Sequence, residues 1–398
     1  MSKLLYILKL IGKLFAYTLL LLSYIFPRSK KIWVFGSNMG FAGNAKYLYI
    51  HTSINEDIKA IWIGNKDEYE QISKLGLRVY YRYSIKGILY SLLAGVYIYN
   101  SYVSDINLYT FGFAKRVNLW HGVGIKNCER KISTGPLAKI YQTKNLFIKL
   151  KHLPLFVKPH FFLSTSEQMK QLCSQCFDLK YEQFIDNMYP RCDIFFMPEE
   201  DRRIFITKYE NIQTINLIND ISRHSYSYLY MPTWRDSGFN FMHDFDFDEL
   251  NKTLKSRNEL LIIKLHPVSN IKISDSYSNI LVINKYIDLN SIMSYTDSLI
   301  TDYSSVYYDY ITMPNKRLIL YIPDYERYIS YDRDLAFDYM ESTEGEFAYD
   351  FASLHSLISH RPQEQIKYEY IDSIRQRFWG NAIGTNCSNL YAKIKDVL

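Results

Sequence analysis

The sequence predicts an α/β fold made of two doubly wound units that face one another across a cleft. Three observations predict it. Short apolar runs alternate with helical stretches as βα units do, the alternation occurs twice in one chain, and several runs end in polar residues of the kind a ligand needs. At 398 residues the chain exceeds one ordinary core and suits two domains. Hydrophobic residues at 48% against charged residues at 22% exclude a disordered chain.

The first element is residues 1–30, read as a membrane-associating amphipathic helix. Leu4 to Phe26 is apolar but carries Lys9 and Lys13, four residues apart and therefore on one helical face. The unbroken apolar run Leu14 to Phe26 is 13 residues, short of the roughly 20 that cross hydrocarbon. A lysine near the centre of a spanning helix costs about 2.5–3.5 kcal/mol. A helix lying in the interface avoids that cost, with Arg28, Lys30 and Lys31 beside anionic headgroups. A single span and a signal peptide are the rival readings. Against the latter, no small-x-small site follows Phe26, and Pro27-Arg28-Ser29-Lys30-Lys31 runs straight into a buried-looking strand.

The first α/β unit is expected over residues 31–210. Its strands are Ile32–Phe35, Ile58–Ile63, Leu77–Tyr81, Val96–Tyr99, Val117–Trp120, Phe161–Ser164 and the stretch before Pro190, with a Gly36–Gly43 turn opening a helix at Asn44. Pro198 to His224 reads as polar helix and carries the boundary. The second unit, over 211–398, has strands at Tyr228–Met231, Leu260–Leu265, Ile280–Ile283, Ser298–Thr301 and Leu318–Tyr321, then closing helices after about Asp350.

A net charge of +6 suits an anionic membrane surface or a phosphate-rich substrate. Its basic residues are dispersed, without the dense patch of a nucleic-acid binder, so no nucleic-acid partner is expected. The cysteines (128, 173, 176, 192 and 387) form no disulfide framework or zinc pattern. Cys173 and Cys176 make a C-x-x-C within the helical run Glu167–Phe177, with no second pair nearby, which favours a structural role in a reducing compartment.

Chemistry is expected where strands end. Trp120-His121-Gly122 follows one strand and Thr233-Trp234-Arg235-Asp236 another. His266-Pro267 and Thr301-Asp302-Tyr303-Ser304-Ser305 follow two more. Taken singly, Asp302 and Ser304 could be helix caps, but a capped helix N-terminus is also an anion site, so the two readings are compatible.

The motifs Trp33-Val34-Phe35-Gly36-Ser37, Asn118-Leu119-Trp120-His121-Gly122-Val123-Gly124-Ile125-Lys126, Tyr189-Pro190-Arg191-Cys192-Asp193, Met231-Pro232-Thr233-Trp234-Arg235, Lys264-Leu265-His266-Pro267 and Ile300-Thr301-Asp302-Tyr303-Ser304-Ser305 together resemble the CDP-glycerol glycerophosphotransferase family of teichoic acid and capsule synthesis, in order and spacing from about residue 31 to 340. The resemblance implies a GT-B-like fold of two Rossmann-like domains, with the donor nucleotide mainly on the C-terminal one. It implies peripheral attachment at the cytoplasmic face of a bacterial plasma membrane and a polyprenyl-linked acceptor. The family's motif histidines fall on His121 and His266, and its donor-binding run on Thr301, Asp302, Ser304 and Ser305. Gly122, Lys126, Arg191, Thr233, Arg235 and Lys264 fall within its motifs. Arg333 opens a run, Arg333 to Tyr339, that echoes a later family stretch. Two departures stand out: Met188 replaces a glycine before Tyr189, and Glu344-Gly345-Glu346 replaces Pro-Gly-Pro.

The expected reaction is attack of an acceptor hydroxyl on the β-phosphorus of CDP-glycerol or CDP-ribitol, expelling CMP. His121 is the expected base, because its ordinary pKa suits proton abstraction near neutrality. His266 and Arg235 are expected to hold the phosphates, and Ser304, Ser305 and the N–H groups after them to cradle the pyrophosphate. Asp302 either positions a donor hydroxyl or caps a helix. No Asp/Glu/His cluster has metal-ligand spacing, so no cofactor or resident metal is expected, leaving open Mg²⁺ carried by the nucleotide. The alternatives are a UDP-sugar-dependent glycosyltransferase or epimerase on the same fold, and a non-catalytic nucleotide sensor.

Overall fold

The computed structural model describes residues 12, 15–133, 135–266, 269, 271–284 and 286–398. Lys9, Lys13 and Pro267 lie outside the described residues. Two wholly parallel sheets organise the chain. The first contains β1 (Ser29–Gly36), β2 (Lys59–Gly64), β3 (Val79–Tyr81), β4 (Ala94–Tyr99), β5 (Lys115–Asn118), β6 (Phe161–Ser164) and β7 (Phe184–Asp186), ordered β3-β2-β1-β4-β5-β6-β7. The second contains β8 (Tyr226–Met231), β9 (Glu259–Ile263), β10 (Ile280–Val282), β11 (Ser298–Thr301), β12 (Arg317–Tyr321) and β13 (Glu346–Ala348), ordered β10-β9-β8-β11-β12-β13.

Parallel strands covered by helices on both faces are buried along their length and run mostly apolar, and β4, β9 and β12 are buried at every position. In each sheet the chain reverses its winding direction beside its first strand, between β1 and β4 and between β8 and β11. The connections leave such a point in opposite directions and open a crevice at the carboxyl ends of the strands. This is a GT-B-like α/β architecture, and it places both sets of strand-end motifs at crevices.

Three departures from the sequence reading have physical causes. β13 was not expected, because three residues starting with Glu346 make no apolar run; an Arg317–Glu346 ion pair secures it to β12 instead. The closing helices do not stay with the second unit: Ile371–Trp379 packs on helix Glu167–Phe177, and Cys387–Asp396 packs on helix Gly43–Ile54. Trp379 anchors that return, fully buried, its indole N–H donating to the Tyr308 carbonyl at 2.9 Å and its ring 5.6 Å from that of Tyr189. Finally, Arg28 does not face headgroups. Its guanidinium forks onto the carbonyls of Ser91, Ala94, Ser23 and Thr110 at 2.8–3.1 Å, pinning the chain where it enters β1. Residues 15–22 are helical, and among the described residues no helix is long and apolar enough to cross a membrane.

Candidate active site

β5 ends at Asn118, and the next three residues form a tight turn that presents His121. Trp120 adopts left-handed backbone at φ 53°, a conformation that costs a residue with a Cβ about 1–2 kcal/mol. Polar side chains hold it there. The Asn118 carboxamide accepts from the Trp120 N–H at 2.8 Å and donates to the Ser101 carbonyl at 2.9 Å. From helix Gly43–Ile54, the fully buried Asn44 donates to the carbonyls of Leu119 and Trp120 at 3.2 and 2.8 Å. The Trp120 ring packs 4.7 Å from Phe177 and forms a floor 4.0 Å under the imidazole of His121.

His121 is exposed along the crevice but has protein around it on most sides. That burial pushes its imidazole down to about 4, with the Arg191 charge adding to the shift and the Asn100 backbone opposing it. The ring is therefore neutral at pH 7, with a lone pair available to accept a proton. Its Nδ1 lies 3.5 Å from the Ser101 hydroxyl.

The facing edge belongs to the second sheet. Asp302, after β11, is 2% exposed and accepts from the Thr233 N–H at 2.9 Å and from Arg235 at 2.9 Å. It neither caps the following helix nor projects into the crevice, because both of its oxygens are used to tie β11 to the end of β8. Arg235 is 1% exposed, forks onto Asp324 at 2.7 and 2.8 Å, and lies between the rings of Phe241, Tyr303 and Tyr328. Its guanidinium is thus committed to two carboxylates, where the sequence suggested a phosphate clamp. Thr301 is fully buried, its hydroxyl on the Met231 carbonyl, and Lys264 is held on the Ile287 carbonyl at 2.7 Å. These are braces of the edge.

Other residues of this edge are half-buried or exposed. His266 is exposed and stacks against Trp234 at 6.1 Å, with Asp236 close enough to influence its charge. The Thr233 hydroxyl is buried with no hydrogen-bond partner among the described residues. Ser304 and Ser305 precede the short helix Val306–Tyr310 and are half-buried. Arg333 pairs with Asp236 at 2.8 Å, both well exposed.

The two edges touch. A Cβ on Gly122 would stand 3.1 and 3.2 Å from the Ser305 side chain, so any larger residue in the turn after His121 would make Ser305 shift by a few tenths of an ångström. Arg191 crosses to Asp309 with two bonds of 2.8 Å, both groups buried. The segment after Gly122 pairs with residues 334–336 through backbone bonds Ala336 to Ile125 and Asn127 to Asp334. Lys126 sits in this strap, 5.5 Å above the Tyr328 ring and with no side-chain hydrogen bond or ion pair among the described residues. Burial pushes its ammonium down to about 8, against the attraction of Asp302.

Sequence reasoning missed Asn44, Asn118 and Ser101 as supports of the turn, and Asp309 and Asp324 as the partners of Arg191 and Arg235. An asparagine at the carboxyl end of an otherwise buried strand was the available signal for Asn118. The aspartates carry no local signal, since their partners are far away in sequence.

The profile of the CDP-Glycerol:Poly(glycerophosphate) glycerophosphotransferase family matches residues 18–395. The teichoic acid poly(glycerol phosphate) polymerase of Bacillus spizizenii is 24% identical over 339 residues, 81% of each chain. That organism's teichoic acid poly(ribitol-phosphate) polymerase is 28% identical over 232 residues, 55% of this chain but only 35% of the relative. Among solved structures, the wall teichoic acid polymerase TagF shares the fold with a TM-score of 0.75 at 21% identity, over 100% of this chain and 98% of that one.

Proposed function

The chain belongs to the CDP-glycerol:poly(glycerophosphate) glycerophosphotransferase family, and from that premise we propose that it transfers glycerol phosphate, or a related polyol phosphate, from a CDP-polyol to a lipid-linked acceptor and releases CMP. One observation carries the mechanism: an exposed histidine on one sheet edge directly precedes the glycine that meets the serine turn of the other. His121 removes the proton of the acceptor hydroxyl as its oxygen bonds to the β-phosphorus, and the bond from that phosphorus to CMP breaks. His266, Arg333, Lys126 and the Ser304–Ser305 turn provide donors and positive charge for the phosphates. The Thr233 hydroxyl, without a hydrogen-bond partner among the described residues, is the group of this edge that a donor oxygen would satisfy.

Incubation with CDP-glycerol, CDP-ribitol and UDP-sugars, followed by nucleotide analysis, tests this reading. CMP release from a CDP-polyol is expected. Release of UMP or UDP alone would replace it with the sugar-transferring or epimerising alternative, which the family match does not favour.

Lys126 gives the reading a pH signature. Its ammonium is charged below about 8 and neutral above, and bound phosphate would hold the proton to higher pH. Donor affinity is therefore expected to fall as pH rises past 8, by up to about tenfold per unit until the pKa of the complex is reached. Lys126→Arg, charged throughout, flattens this dependence. Calorimetric titration with CDP-glycerol from pH 6.5 to 9.5 measures it, and a flat wild-type profile would remove Lys126 from the phosphate site.

Membrane attachment, on the cytoplasmic face, finds support in the segment 130–166, which has seven Lys and Arg and no Asp or Glu. Its helix Leu146–Lys151 exposes Phe147 at 82% and Leu146 at 66% beside Lys149 and Lys151, and the Tyr17 hydroxyl binds the Leu150 carbonyl. Apolar side chains flanked by lysines suit an anionic bilayer surface.

A further inference from the structure

Glu129 is a residue that neither the mechanism nor the motifs use. It is buried, at 7% exposure, in left-handed backbone at φ 52°, a conformation disfavoured for any residue with a Cβ. The hydroxyls of Tyr102 and Tyr141 both donate to its carboxylate, the former at 2.6 Å. Beside it lies a cavity of about 20 Å³, with Glu129, Tyr102, Ser101 and Asn118 on its polar side and Leu155, Phe156 and Phe177 on its apolar side, large enough for one water. Ser101 is also the residue whose hydroxyl faces His121 Nδ1 at 3.5 Å.

We propose that Glu129 is a positioning residue for His121 that takes up, through Ser101 and one water, the proton His121 abstracts. The proposal rests on His121 being the base. As the acceptor proton moves to Nε2, the Nδ1 proton passes to the Ser101 oxygen. The serine's own proton moves to the water, and a water proton moves to the Glu129 carboxylate. His121 ends neutral and Glu129 ends as the acid, so the charges balance.

Burial raises Glu129 to about 7, with the Tyr102 bond opposing. Facing it are the two tyrosines, Arg130 on its own turn, Lys158 with its partner Asp178, and Cys176 from helix Glu167–Phe177. Asp105, which accepts from the Ser101 N–H at 2.9 Å, is likewise raised to about 7 by burial. It is the rival owner of any titration in that range.

The pH–rate profile of CMP release separates them. Wild-type kcat is expected to rise through an acid limb near pH 7. Glu129→Gln keeps both contacts, its carbonyl oxygen accepting from one tyrosine and its amide N–H donating to the hydroxyl of the other, so its melting temperature and KM should hold while kcat falls at least tenfold and the limb disappears. Tyr141→Phe removes one bond to the carboxylate and should move the limb upward. A limb that persists in Glu129→Gln overturns the proposal, as does a wild-type profile. Should that variant fail to fold, an unmoved limb in Tyr141→Phe overturns it. His121→Ala, assayed in parallel, tells the two readings apart: an active His121→Ala removes the base, whereas an inactive one with a wild-type Glu129→Gln removes only the relay.

Discussion

Replacing His121 with alanine is expected to lower kcat about 10²–10⁴-fold, the span that a positioned general base contributes, with the melting temperature nearly unchanged. The second half follows from geometry. The ring is exposed, its side-chain hydrogen bond to Ser101 is long at 3.5 Å, and its main packing partner is the Trp120 ring beneath it. The turn itself is held by Asn44 and Asn118, which bond to backbone and are untouched by the change. CMP release under saturating donor and a thermal melt on the same preparation check both halves. Near-normal turnover would end the assignment of His121 as base.

Arg235→Ala should do the opposite, damaging the fold first and activity as a consequence. It would leave Asp302 and Asp324, both almost fully buried, facing each other without a cation. Breaking a buried pair in this way costs about 3–5 kcal/mol. It also weakens the tie between the end of β8 and β11, leaving the Thr233 N–H as the remaining bond to Asp302 there. Arg235→Lys should rescue poorly, because a point charge cannot fork onto Asp324 while also reaching Asp302. Chemical denaturation compared with the donor KM distinguishes a brace from a phosphate ligand. A ligand would shift KM in a protein of full stability, and that result would refute the structural assignment.

The contrast between these residues shows what the sequence could convey. Strands at the centre of a parallel sheet must be apolar, so their positions were readable, and whatever interrupts them at the carboxyl end stood out as His121, Thr233, His266 and Thr301. Whether such a polar residue points into the crevice or away from it depends on its partner. Arg235 meets Asp324 across 89 positions and Arg191 meets Asp309 across 118, and no local pattern encodes those distances. The return of helix Cys387–Asp396 was hidden for the same reason. Its apolar stripe says only that it packs, not that it packs on helix Gly43–Ile54. Glu129 escaped notice because an acid in a loop is ordinarily solvated, and only the fold reveals the two tyrosines around it.

The charges that join the two sheets have a consequence for how substrates are chosen. Besides Arg191 and Asp309, the fully buried Lys46 on helix Gly43–Ile54 binds Glu210 at 2.5 Å and Asp288 at 2.7 Å. Separating the halves would break the Lys46–Asp288 and Arg191–Asp309 pairs and leave buried charges without these partners. Opening the crevice at this seam therefore carries the cost of breaking buried ion pairs. Discrimination between polyols then falls on the fit of each donor to a standing surface, with little binding energy diverted into closure.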